Sequence, residues 1–339
     1  MRKGMRPARP ILRTDPRTCY AQGVLEDIDA RGMAANVDWF RRTLLQHGVS
    51  IHPDSEVEAS LRRAEEWGRL LTSEVAAKVP RARAPELYRQ GIGWDFLIRA
   101  LHRGLQRGFA PRWELFKANE VLITAMANQS RDRDLVLEVL TAAVCSTFCS
   151  GVDNIEPQDV VLQHGGIPRV IECKNLYSTR IDQHRAAIVD AAKQVQRATA
   201  ERGYALVNLV NLVPHEEFFP ATGPAPFASS DALLARVDAW ARDFANQVFS
   251  NRDFVQRLAI DRTTGVRRDK LRAVVFLVPT VADVQGRAVN VFRLAITPCA
   301  DDPADRAFEQ ALHVAFQDAF QHRITVTAPS RSATSPVAE

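Results

Sequence analysis

Three charged side chains stand close together in the sequence around the segment VVLQHGGIPRVIECKNL, residues 160–176: Asp159, Glu172 and Lys174. If this segment is a half-buried strand, residues 172 and 174 point to one face, whereas their immediate neighbours point to the other. Burying two charges on one face is costly unless they are paired or bind a ligand. The segment therefore has two interpretations, a structural ion network or a site of chemistry.

The spacing of the two carboxylates is compatible with chemistry. Gly165 and Gly166 lie between Asp159 and Glu172 and predict a tight hairpin, which can bring the two acids together. Converging carboxylates form a hard oxygen site that suits Mg²⁺, with Mn²⁺ expected to substitute. A cation there polarises a phosphate and lowers the pKa of a water molecule. Lys174, about 7 Å along the strand from Glu172, can hold the attacking hydroxide, and the combination predicts hydrolysis of phosphodiester bonds.

The elements on either side of the hairpin must position these side chains. A helix is predicted over residues 131–149, and Glu138 on it is a further candidate acid, with Asp134 one turn earlier as the alternative. A second helix follows the hairpin and is predicted to run to Gly203. The continuous apolar run 204–213 is typical of a central strand that is buried on both faces. Strand, helix and strand together predict a parallel βαβ crossover.

The stretch EPQDVV followed by IECKN resembles the motif of the PD-(D/E)xK nuclease superfamily. The order of elements over roughly residues 131–213 is similar to that family's αβββαβ core. The resemblance implies an α/β fold, with a restriction-endonuclease-like core built on a mixed sheet. It also implies a Mg²⁺-dependent nuclease with these catalytic residues: Asp159, Glu172, Lys174, Glu138 and Gln194. The implied metal ligands are Asp159, Glu172, Glu138 and the backbone carbonyl of Cys173.

Two positions in this resemblance stay open. The sequence just before Asp159 departs from the family motif, which leaves Asp153 or Glu156 as an alternative first carboxylate. The supporting glutamine on the second helix is either Gln194 or Gln196. The sequence alone does not decide between them.

Changes of composition divide the chain into four regions. These are a basic, flexible start (1–30), a helical region (31–130), a nuclease-like α/β domain with a C-terminal extension (131–327) and a disordered tail (328–339). The predicted fold is therefore an αβββαβ core preceded by an all-helical region and followed by an α/β extension. The helical region is a candidate for substrate selection or for binding a protein partner.

Contact with nucleic acid must come from local basic patches, because 44 basic and 40 acidic residues leave a net charge of only +4. Lys193 and Arg197 form a basic stripe on the second helix, and Arg185 lies near its start, so these three are the predicted phosphate contacts. DNA is favoured over RNA, and a homodimer would suit double-strand cleavage. His164 on the turn and His184 are weaker candidates, since such residues are more often simply part of the surface.

Composition argues against several other classes of protein. The 339 residues are 46% hydrophobic and 25% charged, which is ordinary for a globular protein. The five cysteines form no CxxC pattern, which argues against structural zinc and favours a reducing compartment. No run approaches the roughly 18 apolar residues of a membrane span, and the basic start lacks the apolar segment of a signal peptide. We therefore expect a cytoplasmic protein without membrane contact.

The sequence thus favours a metal-dependent deoxyribonuclease, and the resemblance suggests a role in restriction or phage defence. One alternative is a catalytically inactive protein of the same fold that binds nucleic acid or a protein partner. Two further alternatives are structural. The charges could form a buried ion network, or they could protect an edge strand from pairing with another chain.

Overall fold

The fold is built on a seven-stranded sheet with the strand order β1-β7-β6-β5-β4-β3-β2. The structure, a computed structural model, describes residues 20–27, 30–72, 93–117, 131–154, 158–220, 223–261, 263–265 and 267–324. The strands are β1 (Tyr20–Asp27), β2 (Ser150–Asp153), β3 (Val160–His164), β4 (Ile167–Asn175), β5 (Arg202–Asn208), β6 (Leu271–Val284) and β7 (Arg287–Pro298). β4, β5 and β6 are parallel, and all other neighbouring strands are antiparallel. The predicted α/β class and mixed sheet are confirmed.

Helices cover both faces of this sheet. They are α1 (Ala30–Gln46), α2 (Glu56–Thr72), α3 (Gly93–Leu105), α4 (Arg131–Cys145), α5 (Ile181–Arg197), α6 (His215–Phe218), α7 (Ser230–Phe249), α8 (Arg252–Ala259) and α9 (Pro303–Phe320). Residues of α1 to α4 and α9 form one hydrophobic core with the sheet, and α5 to α8 form the other. Among the described residues, no helix combines the length and the apolarity that crossing a membrane requires.

The central strand β5 shows why its sequence is apolar without interruption. Tyr204 and Leu206 belong to the core on the α4 side, whereas Ala205 and Val207 belong to the core on the α5 side. The prediction of a strand buried on both faces is therefore confirmed. The predicted extension to residue 213 is wrong, because the strand ends at Asn208, whose side chain accepts a hydrogen bond from the backbone N–H of residue 210 and turns the chain.

The glycine at 203 has a different role from the one predicted. Helix α5 ends at Arg197, and Gly203 is the second residue of β5 rather than the end of the helix. The strand and the helix approach so closely here that a Cβ atom on residue 203 would lie 2.4 Å from the Cγ1 atom of Val195 and 2.9 Å from that of Val170. The position is therefore glycine because of a close approach between two elements.

Gly203→Ala is expected to destabilise the protein by about 1–3 kcal/mol, because the added methyl group has no space in a packed core. Denaturant unfolding followed by circular dichroism measures the change. Thr199→Ala, at an exposed position in the same connection, is the control and is expected to change the free energy of unfolding by less than about 0.5 kcal/mol. Equal stabilities for wild type and Gly203→Ala would contradict the packing argument.

The N-terminal part of the described chain is joined to the sheet. Residues 20–27 form the edge strand β1, so the prediction that the first 30 residues are flexible is wrong for this segment; residues 1–19 lie outside the described part. Helices α1 to α3 fall within the region predicted to be helical, and they share a core with the sheet. Arg99 of α3 also donates a 2.8 Å hydrogen bond to the carbonyl of Phe320 at the end of α9.

Two further predictions concern segments that are only partly described. In the last part of the region predicted to be helical, the structure describes one 3₁₀ turn, Trp113–Lys117, and residues 118–130 lie outside the described part. The predicted disordered tail, 328–339, also lies outside it.

An ion network at the amino ends of the three parallel strands fixes α9 to the sheet. Asp305 of α9 is 1% exposed and receives hydrogen bonds from Arg169 of β4 (2.8 Å), Arg202 of β5 (2.8 Å) and Arg272 of β6 (2.5 Å). Burial alone would raise the pKa of Asp305, but the three guanidinium groups lower it to about 2. We call these four residues the Asp305 network.

Candidate functional site

The hairpin of β3 and β4 brings the two predicted carboxylates together. Gly165 and Gly166 adopt the positive φ values (60° and 75°) that the tight turn requires, as predicted. Val160 pairs with Ile171, so Asp159, one residue before the strand, lies beside Glu172. The predicted hairpin is thereby confirmed.

Asp159 is tied directly to the motif on β4. Its Oδ2 atom accepts a 2.6 Å hydrogen bond from the backbone N–H of Cys173 and lies 3.8 Å from Nζ of Lys174. The side chains of Asp159 and Lys174 are 15% and 21% exposed, so the pair is reached by solvent but largely shielded from it. The three residues of the predicted motif thus meet at one place.

Glu172 is the most unusually placed side chain of this group. It is 0% exposed, and neither of its carboxyl oxygens receives a hydrogen bond from an N–H or hydroxyl donor in the described structure; the side chain within hydrogen-bonding reach is the carboxyl group of Asp159. Burial, followed by the neighbouring charge of Asp159, raises the pKa of Glu172 to about 8, with Lys174 acting in the opposite direction. A carboxylate that is buried without a donor is costly, so this residue is poorly explained by fold stability.

The acid on helix α4 is joined to the hairpin by a residue that sequence analysis missed. The side-chain amide of Asn154 donates to Oε2 of Glu138 (2.9 Å) and to the backbone carbonyl of Asp159 (2.8 Å). Because both partners are acceptors, they fix the orientation of the amide. No local pattern marks Asn154; its role follows from tertiary contacts. We call Asp159, Glu172, Glu138 and Lys174 the carboxylate cluster.

The alternative first carboxylates are less well supported. Asp153 is exposed, and its Oδ1 atom accepts the backbone N–H of the next residue, Asn154. Glu156 and the side chain of Asp134 lie outside what the structure describes. The geometry therefore favours Asp159 over Asp153, while Glu156 and Asp134 stay open as alternatives.

The described residues contain no group of three or more His, Cys, Asp or Glu side chains already arranged around a common metal position. The Cys173 thiol points away into the core, 3.6 Å from Oγ1 of Thr141, and burial raises its pKa well above the ordinary value. Its backbone carbonyl stays a predicted ligand. The feature that fits a cation is Glu172, whose two buried oxygens lack a donor beside two further carboxylates.

The predicted supporting glutamine lies at the wrong end of α5. Gln194 is in the last turn of that helix, which leads within a few residues to Arg202, the partner of Arg169 near the start of β4. Lys174 is near the opposite end of the same strand, roughly 17 Å from Arg169. The alternative, Gln196, accepts a hydrogen bond from the backbone of residue 270 at that far end. Neither glutamine is placed to support the carboxylate cluster.

The three residues predicted to contact phosphate have different surroundings in the structure. Arg185 is occupied: its guanidinium donates to the carbonyls of Gln247 and Val248 at the end of α7 and to Asp182, so the prediction that it binds phosphate is not supported. Lys193 pairs with an aspartate on its own helix, and Arg197 is exposed. Both lie near the end of α5 far from Lys174, and their contact with nucleic acid stays a prediction.

The two histidines have structural surroundings. His164 packs its ring against Phe148 and Phe308, and burial lowers its pKa. His184 is buried, and its Nε2 atom donates to the backbone carbonyl of Ser178. In the described part of the chain, neither side chain contacts the carboxylate cluster.

The structure also tests the two structural alternatives. Strand β4 has a neighbour on each side, so Glu172 and Lys174 do not protect a sheet edge. A saturated ion network would resemble the one around Asp305, where three arginines surround one carboxylate. Around Glu172 the ratio of basic to acidic side chains is reversed, because three acidic side chains lie beside one lysine, Lys174.

Comparisons with known proteins do not assign the chain to a group: no family model, no curated protein and no solved structure matches it.

Proposed function

We propose that this protein is a metal-dependent nuclease that hydrolyses phosphodiester bonds of nucleic acid, with DNA favoured over RNA. The observation that carries the proposal is Glu172, a buried carboxylate without a donor, next to Asp159 and Lys174. The element order α4-β2-β3-β4-α5-β5 supports it, because the PD-(D/E)xK core has the same succession of helices and strands. The restriction or defence role that this resemblance suggests is part of the proposal.

The residues of the cluster divide into three proposed cation ligands and one cationic donor. Asp159, Glu172 and Glu138 would hold the divalent cation, which supplies the charge that polarises the phosphate and activates water. Asp159 is oriented by the Cys173 N–H, and Glu138 is oriented by Asn154. Lys174, partly exposed beside Asp159, donates to the attacking water or to a phosphate oxygen, where its charge stabilises the transition state.

The carboxylate excess also gives the site its dependence on a cation. Three ionised carboxylates would repel one another, so the pKa of Glu172 is raised and the protein alone keeps a proton there at neutral pH. Removing that proton requires a positive charge near the two oxygens. We therefore expect the protein to cleave nucleic acid with Mg²⁺ or Mn²⁺ and to be inactive in EDTA.

The test is incubation of wild-type protein with plasmid DNA and with RNA in the presence of Mg²⁺, Mn²⁺ or EDTA. Asp159→Asn and Lys174→Met are each expected to reduce metal-dependent cleavage at least 100-fold, since each removes a charge that acts in the transition state. Asp301→Asn and Arg306→Met make equivalent changes in an exposed ion pair elsewhere (3.2 Å) and are expected to retain activity.

The outcomes separate the proposal from its alternative. Cleavage that needs metal and is lost in both cluster variants supports the nuclease. Binding of nucleic acid without cleavage under any of these conditions would favour an inactive protein of the same fold. Cleavage that survives in Lys174→Met and Asp159→Asn would show that the activity belongs to another site or to a contaminant.

A further inference from the structure

Arg112 places a positive charge next to the carboxylate cluster from outside the motif. It lies in the segment between α3 and the 3₁₀ turn, and its Nη1 atom donates to the backbone carbonyl of Asn154 at 3.4 Å. The side chain of Asn154 in turn contacts Glu138 and the backbone of Asp159. One residue therefore separates Arg112 from two members of the cluster.

The guanidinium group of Arg112 is available to a ligand. Its side chain is 44% exposed, and the other contact described for it is a 3.8 Å ion pair with Glu114, which is 64% exposed. An exposed pair of this kind contributes about 0–1 kcal/mol, so a phosphate can displace it. Arginine carries five N–H donors in a planar fork that matches two oxygens of a phosphate.

The charge balance of the site calls for such a group. Within the cluster, one lysine, Lys174, faces three acidic side chains. A nucleic acid brings further negative charge to the same place, and the divalent cation offsets only part of it. Arg185, which sequence analysis had proposed for this task, is held by the end of α7.

We infer that Arg112 binds a backbone phosphate of the nucleic-acid substrate beside the bond that is cleaved. The inference rests on the proposed function and adds to it that the substrate is held from two sides, by β4 and by the segment between α3 and the 3₁₀ turn. A phosphate contact carries no base information. Arg112 therefore contributes affinity and register but no sequence preference, and it is a binding residue rather than a catalytic one.

The test is equilibrium binding in EDTA, where cleavage is absent, with a fluorescent DNA duplex and an RNA hairpin of matched length at several salt concentrations. Arg112→Gln is expected to weaken binding about tenfold, because a charge-assisted hydrogen bond is lost. The magnitude of the slope of log K against log salt should also fall by about 0.9, the change expected for the loss of one phosphate contact. Arg306→Gln, which alters an exposed arginine paired with Asp301, is the control and should change neither quantity.

A second variant gives the opposite sign. Glu114→Gln removes the carboxylate that competes with phosphate for Arg112 and is expected to tighten binding two- to threefold. A purely structural role for Arg112 predicts no gain from this change. The exposed position of both residues makes misfolding a minor concern, and thermal unfolding of each variant checks it.

The outcomes distinguish this inference from the proposed function. Unchanged affinity and salt slope in Arg112→Gln, or a wild-type protein that binds neither nucleic acid at low salt, would overturn the inference. Normal metal-dependent cleavage by the wild type would at the same time leave the nuclease proposal intact. Conversely, an Arg112-dependent affinity without any cleavage would support the binding role and remove the enzymatic one.

Discussion

Glu172→Gln is expected to make the protein more stable at pH 8 while lowering cleavage at least 1000-fold. The pKa of Glu172 is raised from 4.5 to about 8, mainly by burial. Below pH 4.5 both the folded and the unfolded states hold the proton, so stability is unaffected. Between pH 4.5 and 8 the unfolded state releases a proton that the folded state keeps, so wild-type stability falls as the pH rises.

The size of this effect follows from the same values. Each pH unit in that interval costs about 1.4 kcal/mol, which gives an upper limit of roughly 5 kcal/mol for the wild type at pH 8. The glutamine amide is also polar and buried, so we expect a net gain of about 1–3 kcal/mol. Denaturant unfolding of both proteins at pH 4.5, 6 and 8 in EDTA measures it, and the gain should shrink as the pH falls, so that at pH 4.5 the variant is no more stable than the wild type.

Cation binding provides a second readout for the same variant. Mg²⁺ or Mn²⁺ should raise the melting temperature of the wild type, because an ion that binds only the folded state stabilises it. The increase should be much smaller for Glu172→Gln. A variant that is less stable than wild type at pH 8 would show that Glu172 belongs to a structural ion network, and the nuclease proposal would lose its main support.

The chain offers a matched control for this substitution. Glu309 on α9 is also buried, its Oε1 atom has no hydrogen-bond partner, and burial raises its pKa to about 7. Glu309→Gln makes the same chemical change outside the carboxylate cluster. We expect it to increase stability at pH 8 as well, while cleavage and the effect of Mg²⁺ stay as in the wild type.

Asp305→Asn is expected to lower the free energy of unfolding by about 3–5 kcal/mol. The substitution leaves Arg169, Arg202 and Arg272 without the carboxylate on which they converge. Arg169 is the most affected, because its side chain is 0% exposed. Removing one partner of a buried ion pair is costly, since an uncompensated charge remains in the interior.

The pH dependence of this contribution has the opposite sign to that of Glu172. The pKa of Asp305 is lowered from 3.8 to about 2, so its stabilising effect is present in full above pH 3.8 and is lost as the pH falls through about 2. Denaturant unfolding at pH 7 and pH 2 measures both states. Asp301→Asn, at a 61% exposed position, is the control, and a loss below 1 kcal/mol in Asp305→Asn would contradict the prediction.

Local pattern was sufficient to predict the motif-bearing part of the fold. Two glycines specify the turn after His164, and the alternation in β4 places Glu172 and Lys174 on one face. The uninterrupted apolar run of β5 predicts burial on both faces. These patterns lie within a few residues of the structure that they determine, so a single sequence is enough to detect them.

Features that depend on distant parts of the chain were missed. Asn154 looks like an ordinary loop residue until the packing of α4 against the hairpin is known. Arg185 looks like a surface arginine, because the two backbone carbonyls that it binds lie more than 60 residues away on α7. Gln194 was assigned to the site because the family resemblance implies a glutamine on this helix, but the direction of α5 carries it to the other end of β4.

The pairing of β1 with β7 has a consequence for how the chain matures. Tyr20 lies opposite Ile296, a partner that follows it by 276 positions. During synthesis the first strand therefore emerges from the ribosome long before the strand on which it must dock. The β3–β4 hairpin, whose partners are near neighbours, can assemble meanwhile, whereas closing the far edge of the sheet has to wait until β7 has been synthesised.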